Sequence, residues 1–537
     1  MSGFVMNKTF FSVVLTVFIV GLRNVPSVAD DAVLPNILLI LADDLGYGDV
    51  GCYNPTSKVP TPHIDQLAAE GLRFTDAHSP STVCTPTRYS ILTGQMAFRI
   101  NYRGVFTGVG GPCLIKEDQL TLPQMLRECG YSTGLIGKWH VGMSFPAIGG
   151  GFAHERDVKN IPDGSFPKSP QSVAKVKCVD FSQPIPDGPT NRGFDYFFGT
   201  ACCPTTDWLY AWIEGDRIPH PPTKLLDRKA AGLPDHVYSK DNRIGLLAEN
   251  FDLEEVDMVF LEKSIAFLEN HVNNQSDQPF FLFHSAQAVH LPSFPADAFK
   301  GKTNAGPHGD FIFELDYIIG ELLKSLDRLG LAENTIVLVT SDNGPEVTSV
   351  VHMRRDHDHD GAHPWRGMKR DNWEGGHRVP FIVRWPGRIT PGRTSEQTVC
   401  LTDIMATCAS ITGYDLPRKS AEDSFDMLPS LLGLDEGHSI RPFTLHQTMS
   451  LALGIRRGKW KYLDHLGSGG NRYTGRKELQ SFFVPESVPD ASGQLFDLDA
   501  DPGETQNLFF ERQQVTKELQ RLLERTKSAG RSRSVSW

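Results

Sequence analysis

Pro35-Asn36-Ile37-Leu38-Leu39-Ile40-Leu41-Ala42, closed by Asp43-Asp44-Leu45-Gly46, is the stretch that decides the fold. Its apolar residues are continuous rather than alternating, the pattern of a strand buried on both faces, as in a parallel sheet covered by helices. Three later segments repeat it: Ser132 to Ile136, Phe280 to Phe283 and Thr335 to Thr340. Each runs into polar, potentially reactive residues: Lys138 and His140, then His284 and His290, then Asp342 and Asn343. Helical patterns lie between them. Leu315, Ile319, Leu322 and Leu326 recur at intervals of three and four, and Asp252 is predicted to cap the helix carrying Val256, Val259 and Phe260. Strands alternating with helices, with functional residues beyond strand C-terminal ends, predict an α/β fold with a doubly wound, largely parallel central sheet flanked by helices. Ligands bind at that edge of such sheets.

At 537 residues the chain exceeds the roughly 250 to 300 residues at which single cores stop growing. We expect a large catalytic domain over 30–440 and a smaller α+β domain over 441–537. In the latter, Trp460, Tyr462 and Leu495-Phe496-Asp497-Leu498 read as short antiparallel strands before an amphipathic helix around Val515 to Leu523. Ser144 to Arg192, rich in Pro, Gly and Ser, is predicted to be a long surface loop that shapes a substrate cleft. Residues 1–29 have the layout of a signal peptide: Lys8, the apolar run Phe10 to Val20, and Ser27-Val28-Ala29 before the cleavage point. The run is shorter than the roughly 20 residues of a spanning helix, so export is favoured over a membrane anchor. The expected location is periplasmic or extracellular, or a lysosome-like compartment in a eukaryote, with no membrane attachment after signal removal. A net charge of -11 argues against a nucleic-acid groove and leaves any anionic substrate to a few well-placed cations. Nine cysteines in an exported chain allow disulfides, and the odd count leaves at least one unpaired within the chain.

The sharpest chemical signal is Cys84-Thr85-Pro86-Thr87-Arg88. Pro86 suits the first turn of a helix, which puts Cys84 at a helix N-terminus, where the dipole favours a developing anion, and Arg88 one turn on adds a fixed positive charge. A buried or disulfide-bonded cysteine is the blander alternative. Asp43-Asp44 and Asp342-Asn343 form a second pattern. Adjacent carboxylates repel unless a cation sits between them, and three carboxylates with an amide oxygen are hard ligands suited to calcium, with magnesium the second choice. Taken singly, Asp-Asp at a strand end and Asp-Asn-Gly are ordinary turn elements.

Together these segments resemble the sulfatase family of formylglycine-dependent, arylsulfatase-type enzymes in the alkaline-phosphatase-like superfamily. Cys84-Thr85-Pro86-Thr87-Arg88 matches its Cys-x-Pro-x-Arg signature, whose cysteine is oxidised to formylglycine after synthesis. Gly137-Lys138-Trp139-His140 resembles the family's lysine and histidine segment, His290-Leu291-Pro292 its His-x-Pro, and Lys369, ahead of Glu374-Gly375-Gly376-His377-Arg378, its second sulfate lysine. The resemblance implies a calcium held by Asp43, Asp44, Asp342, Asn343 and residue 84. It implies catalytic roles for Cys84, Arg88, Lys138, His140, His290 and Lys369. In the mechanism the resemblance implies, one hydroxyl of the hydrated formylglycine would attack sulfur, with calcium and Arg88 favouring its alkoxide form. Lys138, His290 and Lys369 would hold the sulfate oxygens, His290 or Lys369 would protonate the departing alcohol, and His140 would help deprotonate the second hydroxyl so that sulfate leaves. The implied partners are a sulfated small molecule or carbohydrate and the formylglycine-generating machinery.

His352, His357, His359 and His363, interleaved with Asp356, Asp358 and Asp360, have no counterpart in that pattern. A transition-metal site is conceivable, but the spacing fits no fixed ligand geometry, and a flexible polar loop at the cleft mouth is the preferred reading. Two rival functions remain: a phosphate or phosphonate ester hydrolase of the same superfamily, and a non-catalytic, calcium-dependent polysaccharide-binding protein with an unmodified Cys84. The single-cation ligand set favours sulfate over the first, because related two-metal phosphatases add histidine ligands.

Overall fold

The computed structural model describes residues 33–156 and 170–534. The predicted signal peptide lies outside them, as does part of the Pro- and Gly-rich 144–192 stretch. The central sheet has nine strands: β1 (Asn36–Ala42), β2 (Leu72–Phe74), β3 (Ser132–Lys138), β4 (Tyr196–Thr200), β5 (Ile213–Glu214), β6 (Phe280–Ser285), β7 (Thr335–Ser341), β8 (Phe381–Arg384) and β9 (Arg393–Ser395). Their spatial order is β9-β2-β8-β7-β1-β6-β3-β4-β5. β1 lies between β6 and β7 and is parallel to both, with Leu39 opposite Phe283 on one side and Leu338 on the other. All seven of its residues are buried, as its unbroken apolar run requires. β8 enters antiparallel to β7 and β2, and β5 antiparallel to β4, so the sheet is mixed but mostly parallel.

Helices cover the sheet: α1 (Pro62–Glu70), α2 (Cys84–Thr93), α3 (Leu122–Glu128), α4 (Val256–Asn274), α5 (Gly306–Arg328), α6 (Val347–His357) and α7 (Asp403–Thr412). α5 carries the predicted row, with Leu315, Ile319, Leu322 and Leu326 all buried. The predicted cap of α4 is wrong. Its N-cap is Glu255, and the Asp252 carboxylate accepts instead from the amide of Glu254, holding the turn before the helix. In the 144–192 stretch, a helical segment at Pro170–Lys177 interrupts the expected loop.

Near the C-terminus a second, four-stranded antiparallel sheet runs β10 (Thr444–Gln447), β11 (Leu453–Arg457), β12 (Trp460–Leu463) and β13 (Gln494–Asp497). α8 (Gln513–Ser528) lays Leu519, Leu522 and Leu523 on Leu445, Ile455 and Leu495 of this sheet, so the predicted strands and terminal helix are present and the helix is longer than foreseen. All nine cysteines lie among the described residues and are free there. No helix among the described residues is long and apolar enough to cross a membrane.

A buried polar network joins the two sheets. Asp76 and His78, just past β2, meet Glu374, His377 and Arg378 from the β7–β8 connection and His446, Arg456 and Lys461 from β10, β11 and β12. Lys461 bridges Glu374 at 3.0 Å and Glu504 at 2.9 Å, Arg378 bridges Glu374 and Asp76, each at 3.0 Å, and Arg456 reaches Asp76 at 2.5 Å. The rings of His377 and His446 stack 3.8 Å apart, and His78 Nδ1 lies 3.0 Å from His377 Nδ1.

Candidate active site

β1, β3 and β7 deliver their polar tails to one point at the sheet's C-terminal edge. Asp43 and Asp44 follow β1, Lys138 closes β3, and Asp342 and Asn343 follow β7. Cys84 opens α2 directly above them, with Val83 as N-cap, so the helix N-terminus faces the carboxylates as the position of Pro86 predicted. The Cys84 thiol lies 3.4 Å from Asp43 Oδ1. Ligand-type atoms of Asp43, Asp44, Cys84 and His290 fall within 4.8 Å of one another.

Asp342 and Asn343 join that group through specific bonds. Arg88 Nε donates to Asp342 Oδ2 at 2.9 Å, and its Nη2 lies 2.8 Å from the same oxygen and 3.3 Å from Asp43 Oδ2. Asn343 Nδ2 donates to Asp44 Oδ1 at 2.7 Å, while its Oδ1 is buried with no hydrogen-bond partner. A buried amide oxygen left unpaired among three buried carboxylates is the arrangement expected of a hard-cation shell, since such an acceptor is costly unless something binds it. The structure thus brings together all five sequence-predicted ligands and adds His290 at their margin. Arg88 does more than add charge near Cys84: it ties Asp43 to Asp342, and its Nη1 donates to Ser285 Oγ and to the Lys138 carbonyl.

Lys138 pairs with Asp43, and Lys369 lies 2.6 Å from Asp44 Oδ1 and 3.7 Å from Glu346 Oε2. Burial pushes Asp43 up, but Lys138, His290, Arg88 and Lys369 together hold it well below the usual carboxylate range. Burial lifts Asp44 to about 7 against the pull of Lys369. Burial also raises the Cys84 thiol well above its ordinary value, reinforced by Asp342 and Asp43.

The two histidines have fixed tautomers. His140 Nε2 donates to the Phe106 carbonyl at 2.8 Å, leaving Nδ1 an unpartnered, buried acceptor. His290 Nδ1 donates to the Leu291 carbonyl at 2.5 Å, so its Nε2, 3.8 Å from the Cys203 thiol and 3.9 Å from Asp44, carries the free lone pair. Burial depresses both imidazoles, assisted by Lys138 at His140 and by Lys369 at His290.

Above Cys84 opens a cavity of about 130 Å³ lined by Cys84, His140, His290 and Lys369. Its outer walls were not foreseen from sequence: Phe106, Cys203, Asp207, Arg243, Glu346 and Arg370. Only Arg370 carried a hint, as the neighbour of Lys369. Two predictions fail nearby. His284 does not reach the site; it lies inside β6, buried, with Nδ1 2.8 Å from Ser264 Oγ. The histidine-rich stretch is not a flexible loop, because residues 347–357 form α6 and His359 is buried, its Nε2 donating to Asp49 at 2.8 Å and its Nδ1 accepting from the Lys58 amide. Nor do its histidines converge: among the described residues, none belongs to a cluster of three or more potential ligand atoms.

A family model described as Sulfatase matches residues 35–414. An N-acetylgalactosamine-6-O-sulfatase of Bacteroides thetaiotaomicron is 33% identical over 92% of this chain and 93% of its own length. Human arylsulfatase A is 31% identical over 88% of this chain and 83% of its own. Among solved structures, one from work on glycosaminoglycan metabolism by Bacteroides thetaiotaomicron superposes with a TM-score of 0.75 at 30% identity, covering 92% of this chain and 99% of that one. A sulfatase from Pseudoalteromonas sp. superposes with a TM-score of 0.67 at 26% identity, covering 94% and 92%.

Proposed function

The chain belongs to the sulfatase family and is a sulfuric ester hydrolase, and from that premise we propose that it cleaves sulfate esters of carbohydrates, using formylglycine at position 84 beside one calcium ion. The observation that carries this reading is the placement of Cys84. It heads α2 at the floor of a cavity, with an oxygen-rich carboxylate shell on one side and Lys369, His140 and His290 on the other. The relative named for N-acetylgalactosamine 6-O-sulfate makes a 6-O-sulfated N-acetylhexosamine the first substrate to try.

Asp43, Asp44, Asp342 and Asn343 would hold the calcium together with residue 84; their hard oxygens and the unpaired Asn343 Oδ1 fit it, and magnesium is the second choice. Bound there, the ion supplies positive charge that favours an ionised oxygen at position 84. Oxidation of Cys84 to formylglycine with loss of its sulfur, carried out by the maturation machinery with an external oxidant, and hydration of the aldehyde would supply that oxygen, the proposed nucleophile toward sulfur.

The remaining work falls to the chain's own side chains. Lys138 and Lys369 flank Cys84 from opposite carboxylates and offset charge on the sulfate oxygens. His290, with Nε2 turned toward the site, binds a sulfate oxygen or passes a proton to the departing alcohol when protonated. His140 presents the Nδ1 lone pair, which suits it to take the proton of the second hydroxyl at residue 84. Arg88 holds Asp43 and Asp342 in register and adds charge behind them. The chain would be exported after removal of residues 1–29 and matured by formylglycine-generating machinery.

The test is mass analysis of the peptide containing residue 84, paired with rates on 4-nitrophenyl sulfate and 4-nitrophenyl phosphate. An aldehyde at position 84 and a preference for sulfate are expected. An unmodified thiol in an active preparation, or a preference for phosphate, overturns the reading.

A further inference from the structure

The cavity above Cys84 carries two charged pairs on its outer walls that the chemistry at sulfur does not use. On one wall Arg243 Nη1 donates to Asp207 Oδ1 at 2.9 Å, and the guanidinium lies 4.6 Å over the Trp208 ring. On another, Arg370 donates to both oxygens of Glu346, at 2.7 and 2.8 Å. Both carboxylates are buried, whereas the arginine side chains remain 24% and 33% exposed. Arg370 also sits at φ 82°, in the left-handed region that side chains disfavour, and shares it with two other residues of the site, Asp44 at 64° and His140 at 58°. Such strain costs on the order of 1 to 3 kcal/mol and persists where a side chain must be aimed.

Charge decides what these pairs recognise. Lys138 and Lys369 share Asp43 and Asp44 with the proposed cation, whereas Asp207 largely cancels Arg243, and Glu346, bonded twice by Arg370, largely cancels that arginine while Lys369 also approaches its Oε2 at 3.7 Å. A cancelled pair is a poor anion site. It does set N–H donors beside carboxylate lone pairs, which is the complement of a hydroxyl, a group that donates and accepts at once. The cavity, at about 130 Å³, is small beside common ligand pockets of roughly 300 to 1,000 Å³. It takes a sulfate and the edge of one ring rather than a stretch of polymer.

We propose that the Asp207–Arg243 and Glu346–Arg370 pairs form a hydroxyl-reading subsite, by which the enzyme selects a single sugar residue through the ring hydroxyls neighbouring its sulfate. This rests on the sulfated-carbohydrate reading above.

The experiment uses the matured, calcium-loaded enzyme on 4-nitrophenyl sulfate, on a panel of monosulfated hexosamines, and on analogues of the best sugar lacking one ring hydroxyl each. Arg243→Lys and Asp207→Asn, checked for wild-type melting, should lose about 10- to 100-fold more in kcat/KM on the sugar than on the aryl ester, the range of a hydrogen bond involving a charged group. For the wild type, at least one deoxy sugar should suffer a comparable loss, and the variants should no longer notice that hydroxyl. Equal losses on sugar and aryl ester refute the subsite. So does wild-type turnover of every deoxy sugar within about threefold of the parent, a result that stands even where the variants fail to fold. If the wild type cleaves 4-nitrophenyl sulfate and none of the sugars, the carbohydrate reading itself falls and takes the subsite with it.

Discussion

Two buried polar clusters sit within this chain, and on paper they are alike. Around Cys84, Asp43, Asp44 and Asp342 meet Arg88, Lys138 and Lys369. At the junction of the sheets, Asp76, Glu374 and Glu504 meet Arg378, Arg456 and Lys461. Both contain histidines, and both offer groups of potential metal ligands. The difference lies in how the charges are arranged. In the first, carboxylates converge, an amide oxygen is left over, and a cavity opens on one side. In the second, cations interleave with the carboxylates, imidazoles stack on one another, and the whole is sealed between β10–β12 and the central sheet. Convergent like charges facing an opening are costly and persist where something binds; alternating charges in a closed space fasten two pieces of chain.

The largest effect that could break this contrast is at Cys84, the proposed nucleophile. Cys84→Ala should reduce sulfate-ester turnover by on the order of 10⁴-fold or more with the melting temperature little changed; substantial residual turnover would end the assignment. Next come two matched carboxylate deletions. Asp342→Ala should lose calcium affinity and rate, and should destabilise the fold by about 3 to 5 kcal/mol because Arg88 is left buried and underpaired. Glu374→Ala should cost a similar amount of stability, since it strips a partner from Arg378, Lys461 and Arg456, while calcium affinity measured by titration of the folded fraction is retained. A loss of calcium binding in Glu374→Ala would erase the distinction between the clusters.

A smaller effect separates the two proposed proton donors, Lys369 and His290. Lys369→Ala should lose about 10- to 100-fold more rate on a sugar sulfate than on an activated aryl sulfate, because a sugar alkoxide needs nearby charge or a proton to depart. An unchanged leaving-group dependence in both Lys369→Ala and His290→Ala would remove both from that role. The smallest effect is a pH slope. Burial lowers His78, His377 and His446, so the folded state favours their neutral forms; the resulting stability is present above their ordinary values near 6.5 and is lost as pH falls below. Each contributes a slope of up to about 1.4 kcal/mol per pH unit there. His446→Phe should flatten the acid side of a melting-temperature profile, and an unaltered profile would show that this imidazole is not held neutral by the fold.

The contrast also explains what was legible in the sequence. β1, β3, β6 and β7 announce themselves because each must be apolar on both faces, and their polar tails follow at fixed places. Cys84 was placed correctly because Pro86 restricts where a helix can begin. His284 misled because an apolar run does not mark its own last residue, and β6 continues two residues past Phe283. The outer walls of the cavity were invisible for a different reason. Asp207 with Arg243, and Glu346 with Arg370, come from connections that carry no period, and a charged pair on a loop reads as solvated surface until folding shows what it faces. The junction network was hidden likewise: Glu374 and Arg378 were visible as part of a motif, but their partners Asp76, Arg456 and Lys461 are far along the chain.

The central position of β1 sets a schedule for synthesis. This strand is made first, yet its hydrogen-bonding neighbours lie 244 and 299 residues later. At about 5 to 20 residues per second, an unpaired apolar ribbon waits roughly 12 to 60 s for its partners. Over that interval nascent chains are exposed to aggregation, which makes an escort for the emerging N-terminal segment valuable. The same interval leaves residue 84, only 2% exposed once folded, within reach of a modifying enzyme.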